Sequence, residues 1–101
     1  MLDLEIDLGF NVQRKIRARL ANVDAEELDQ KRGREARDFA ADTLMSAKTV
    51  VVKTTRIDLY GRYVVHLFLA KRQLSIADCF DKGIYLNDLL VRQKHAVVVA
   101  S

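Results

Sequence analysis

The chain has 101 residues, half of them hydrophobic, and its 17 lysines and arginines outnumber its 14 aspartates and glutamates for a net charge of +3. That length fits one domain with a modest core, and so small a charge excludes a generally basic coat for nucleic acid. A lone cysteine excludes an intramolecular disulfide, and no window has the uninterrupted apolar length of a membrane span.

Leu2, Leu4, Ile6 and Leu8 alternate with Asp3, Glu5 and Asp7, the period of a half-buried strand. Gly9 and Asn11 permit a reversal, and Ile16, Ala18 and Leu20 resume the alternation with Lys15, Arg17 and Arg19 on the other face. A hairpin centred near Asn11 would set Asp7 opposite Lys15, Glu5 opposite Arg17 and Asp3 opposite Arg19. After a polar, loop-like stretch from Asp29, apolar residues at Ala36, Phe39, Ala40 and Ala47 recur at helical spacing, so a helix is expected from Gly33 to Ser46.

Thr49 to Thr55 is β-branched and reads as a strand; Arg56 to Gly61 is the turn, and Arg62 to Leu69 the antiparallel partner. His66 on that partner is expected to be a satisfied strand histidine, and Cys79 a buried thiol. Ser75-Ile76-Ala77-Asp78 has the capping-box spacing and Gly83 is a suitable stop, which predicts a short helix between them. Asn87 is expected to cap a final helix through Gln93, with the apolar run from Ala96 to Ala100 extending as a strand.

Positive charge is crowded into Arg14, Lys15, Arg17, Arg19, Lys31, Arg32, Arg34 and Arg37, a pattern that favours a local anion site. Within it, Arg17 to Glu27 carries arginines into a carboxylate cluster. Arginine is a planar, permanently charged donor suited to phosphate, and a nearby carboxylate pair can hold a hard cation or orient a water. Arg19, Asp24 and Glu27 are thus candidates for phosphodiester chemistry, against the plainer reading of a solvated hairpin edge with paired charges.

The element order is that of a small Greek-key barrel with a helix between its strands, an α+β, mainly β, oligonucleotide-binding (OB) type of architecture. Four segments, Arg19 to Glu27, Gly33-Arg34-Glu35-Ala36, Ile57-Asp58-Leu59-Tyr60-Gly61-Arg62 and Leu90-Val91-Arg92-Gln93, resemble in order and spacing the staphylococcal nuclease (thermonuclease-like) family. The resemblance implies calcium-dependent hydrolysis of phosphodiesters in single-stranded DNA or RNA. By position it makes Arg19 and Arg62 the phosphate-clamping arginines, Asp24 a calcium ligand, and Glu27 the general base or water-positioning group. Tyr60 would stack on a base or touch the phosphate, the alternative being a partly buried turn aromatic.

The chain departs from the family pattern in places. The Asp-Gly-Asp-Thr turn, whose second aspartate is a principal calcium ligand, is absent, and the stretch around Lys71 to Ile84 has no counterpart. The expectation is therefore one domain over residues 1–101 that begins downstream of the usual first strand. Val97 to Val99 would fill the resulting gap within the chain or from a second copy, which makes a homodimer an expectation. The start at Met1 shows no basic and then apolar leader, so the expected location is cytoplasmic unless a signal lies upstream. A catalytically impaired oligonucleotide-binding or interaction module of the same fold is the alternative function.

Overall fold

A computed structural model describes residues 2–7, 13–24 and 30–99, with side chains described for 13–23 and 31–99. The first two strands, β1 (Leu2–Asp7) and β2 (Gln13–Leu20), pair antiparallel with Asp3 opposite Arg17, Glu5 opposite Lys15 and Asp7 opposite Gln13. The hairpin forms as expected, but its centre falls at position 10 and not at Asn11. Moving the centre by one residue moves every pair by two, so Asp3 stands opposite Arg17 and not Arg19. Gly9 and Asn11 lie outside the described residues.

After β2 the chain turns through Ala21 and Asn22, whose positive φ of 64° is one that asparagine tolerates, into the short β3 (Val23–Asp24). Helix α1 (Gln30–Met45) then begins three residues before its expected start, with Gly33 inside it. A glycine within a helix costs about 0.5–1 kcal/mol relative to alanine, and neighbouring lysine and arginine are good helix formers, so Gly33 does not stop it. Ala36 and Ala40 are buried on its inner face, with Phe39 and Leu44 half-buried beside them.

β4 (Thr49–Ile57) and β5 (Tyr63–Ala70) pair antiparallel, with a register shift between Thr54 and Arg56. β5 also runs parallel to β2, Ala18 opposite Tyr63 and Leu20 opposite Val65. The intervening α1 and β4 provide the long crossover that parallel pairing requires. Sheet order is β1-β2-β5-β4, and β6 (Ile84–Tyr85) pairs with the far half of β5. Val65, Leu67 and Leu69 point from β5 into the core, where they meet Ala18, Val23, Ala40, Leu86, Leu90 and Ala96.

The stretch from Lys71 to Ile84 covers the outside of the sheet. Its helix α2 (Ile76–Lys82) is capped by Ser75, whose Oγ accepts the Asp78 amide at 3.1 Å, and it buries Cys79 against Val51 and Ala70. Gly83 ends it with ordinary extended backbone. Its requirement is space: a Cβ there would collide with the Cys79 carbonyl oxygen and lie 3.0 Å from that of Leu69.

Asn87 corrects an expectation. The last helix, α3, is Leu86–Arg92, and its N-cap is Tyr85 with no side-chain cap. Asn87 lies inside it, buried, accepting the Leu67 amide at 3.2 Å through Oδ1 and donating from Nδ2 to the Ala21 and Val65 carbonyls at 3.0 and 3.1 Å. It joins α3, β5 and the turn after β2, because a short side chain one step inside a buried helix meets other strands' backbone before it can fold back onto its own. The terminal strand β7 (Val97–Val98) pairs antiparallel with β3 in the same chain, and does not join the larger sheet. Among the described residues, no helix is long and apolar enough to cross a membrane.

Candidate functional site

Hairpin β4–β5 closes on a turn built by one carboxylate. Asp58 Oδ1 accepts the Tyr60 and Arg62 amides at 2.9 and 3.0 Å, the Asp58 carbonyl accepts the Gly61 amide, and Gly61 takes a φ of 76° that a side chain would strain. Asp58 Oδ2 accepts Arg62 Nε at 2.8 Å, an ion pair whose two side chains are 16% and 12% exposed. Partial burial alone would raise the Asp58 pKa. The two amides and the guanidinium outweigh it and hold the acid below the usual carboxylate value. Arg62 is therefore aimed by its own turn. Asp58 has no role in the sequence reading, although an aspartate four residues before the arginine with a glycine between is its signal.

Arg62 immediately precedes β5, and the parallel register sets Arg19 beside Val64, two residues further on. Alternation along a strand then gives Arg19, Arg17 and Arg62 one sheet face, the one opposite the core-facing Ala18 and Val65. Arg19 and Arg62 are half-buried there. One strand spacing across and two residues along puts their backbones roughly 8 Å apart, within reach of one phosphate for two long side chains.

Tyr60 at the turn tip is 78% exposed, which rules out the partly buried turn aromatic. The Arg62 guanidinium carbon lies 5.3 Å from its ring centroid, a cation–π contact. Asp24 ends β3, with its backbone opposite Val97; its side chain, and all of Glu27, lie outside the described residues. The structure thus brings together Arg19, Arg62 and Tyr60 and leaves the acidic half of the expected site undescribed.

A family model for staphylococcal nuclease homologues matches residues 17–101. The chain belongs to the staphylococcal nuclease family. No curated protein matches it. The match takes in β2 from Arg17 onward, the Asp58–Arg62 turn and every later element, and the α+β fold with its mixed five-stranded sheet is consistent with this family's OB-like barrel. Membership in the staphylococcal nuclease family points to nuclease-type chemistry on nucleic acid.

Calcium, which this family implies, takes six to eight oxygen ligands. Among the described residues no three His, Cys, Asp or Glu side chains gather to hold a metal, and the Asp58 carboxylate is committed to Arg62 and two amides. The described donor set does not make a calcium cage.

His66, on the same outer face, is satisfied as expected, its Nδ1 lying 2.6 Å from the Tyr85 hydroxyl. Burial first, and then the charge of Lys53, push its imidazole below the ordinary value.

Proposed function

We propose that this chain is a nuclease that hydrolyses phosphodiester bonds of single-stranded DNA or RNA. The observation that carries this reading is the Asp58-aimed Arg62 on one face with Arg19, in a chain of the staphylococcal nuclease family. Phosphoryl transfer spreads charge over the equatorial oxygens, so cationic donors placed in advance lower the barrier without reorganising during reaction. Arg62 would hold one such oxygen and Arg19 another. Tyr60, exposed beside Arg62, would stack on a base next to the scissile phosphate.

The finer assignments rest on the resemblance alone. In them Asp24 is a ligand to calcium, and Glu27 takes the proton of the attacking water or orients it. A bound calcium ion would supply fixed positive charge to the phosphoryl oxygens.

The test is cleavage of single-stranded DNA with calcium or with excess chelator, for wild type, Arg62→Ala and Glu27→Ala. The nuclease reading expects calcium-dependent cutting that falls on the order of 10²-fold or more in each variant. Metal-independent binding without cutting would instead make this chain an oligonucleotide-binding module. Wild type that neither cuts nor binds would end both readings.

A further inference from the structure

Lys53 and Arg56 are three residues apart on β4, a spacing that puts two side chains on opposite faces of a regular strand. Here they share a face. The register pairs Lys53 with His66 and then, across the irregularity at Thr55, Arg56 with Val64, so the extra residue reverses the alternation between them. Thr55 Oγ1 donates to the Val64 carbonyl at 3.0 Å, which ties the bulged residue to β5.

Val64 is also the residue beside which Arg19 stands. One row therefore crosses three strands, from Arg19 on β2 through Val64 to Arg56 on β4, with Lys53 one pair further along the hairpin. Two strand spacings separate Arg19 from Arg56, roughly 10 Å, a wider gap than the roughly 8 Å between Arg19 and Arg62. Lys53 and Arg56 are exposed, and among the described residues no ion pair joins either to a carboxylate. β2, β4 and β5 contain no acidic residue at all, whereas β1 at the opposite edge carries Asp3, Glu5 and Asp7. On β5 this face carries Val64, which is 1% exposed, and the half-buried His66, and beyond them Phe68 is covered by Phe80 and Tyr85 at centroid distances of 4.8 and 5.0 Å.

We propose that Lys53 and Arg56 form a second phosphate-binding row on the β4 side of Arg19 and Arg62, holding the single-stranded nucleic acid next to the phosphodiester that is cut. This rests on the nuclease reading for its substrate and adds to it a direction: the chain leaves the site across β5 toward β4, away from acidic β1.

The experiment measures binding of a fluorescent thymidine dodecamer and a thymidine dinucleotide, in chelator, over a range of salt. It compares wild type, Lys53→Ala/Arg56→Ala and, as an equal charge change at the far end of β5 and on α2, Lys71→Ala/Lys82→Ala. Each phosphate contact contributes about 0.7 to the salt slope of single-strand binding, so the β4 variant should lower the dodecamer slope by about 1.4 and the dinucleotide slope by less. The proposal is overturned by an unchanged dodecamer slope, by an equal loss in the Lys71/Lys82 variant, or by wild type that binds no dodecamer. Sedimentation showing that the β4 variant abolishes a dimer while keeping oligonucleotide affinity would overturn it too, assigning the row to the acidic β1 edge of a second copy. Failure of the nuclease reading looks different: wild type that binds the dodecamer with the full slope but does not cut it with calcium leaves the row standing.

Discussion

Asp58 holds Arg62 at two points, taking its backbone amide on one carboxylate oxygen and its Nε on the other, at 3.0 and 2.8 Å. The direction of the guanidinium is thus decided by the turn itself. Asp58→Asn keeps one amide acceptor but loses the anionic partner of Nε. It should lower kcat/KM on single-stranded DNA on the order of 10- to 100-fold, the cost of a misaimed charge, with the far-ultraviolet circular dichroism unchanged. Full activity in that variant would show that Arg62 is not aimed by Asp58.

The same carboxylate sets an acid dependence. Its folded pKa is depressed, so the unfolded chain takes up the proton at higher pH. The stabilisation is present above the ordinary carboxylate value and is lost as pH falls through the depressed one. Thermal melts of wild type and Asp58→Asn should therefore differ most near neutrality and converge in that acid window; a constant gap would contradict this.

Asn87→Ala should be strongly destabilising. It strands the buried Leu67 amide and removes the donor to two carbonyls, and a buried group left unsatisfied costs about 1–3 kcal/mol. Urea unfolding should show a loss of that size or more. Asn87→Asp, which keeps Oδ1 but loses the donor, should not restore it.

Gly83→Ala tests crowding and not conformation, since φ and ψ there suit any residue. The added methyl has to displace the Cys79 or Leu69 carbonyl, and overpacking of this kind costs about 1–3 kcal/mol. A lowered melting temperature is expected; an unchanged one would mean that the end of α2 shifts freely.

His66 should titrate below 6.5 in the folded protein, because burial and then Lys53 disfavour its charged form. The unfolded state therefore binds the proton first, and the associated stability is present above 6.5 and lost as pH falls through the lower folded value. Lys53→Ala should raise the apparent value seen by proton NMR. No movement would place Lys53 away from the imidazole.

Much of this protein is legible locally. The alternation from Leu2 to Leu8 and from Ile16 to Leu20 and the Ser75 cap depend on neighbours a few residues away, the buried Cys79 and the satisfied His66 follow the habit of their residue types although their partners Val51 and Tyr85 are distant in sequence, and the order of four segments carries the family. Helix α1 overran Gly33 because packing of Ala36 and Ala40 outweighs the cost of one glycine. Pairing across the chain was beyond local pattern. Nothing near Asp3 states that it meets Arg17 and not Arg19, and charge matching alone favours the wrong register, since the expected one sets three opposite-charge pairs across the hairpin and the one adopted sets two. Asn87 looks like a cap until α3 docks and the backbone of β5 and of the turn after β2 comes within reach. Sequence by itself determined the main element types and the family, and it supplied the arginines of the candidate site. Only tertiary structure decided which side chains share a face, because one bulged residue at Thr55 reverses the alternation and a parallel crossover lays Arg19 beside the strand that Arg62 begins.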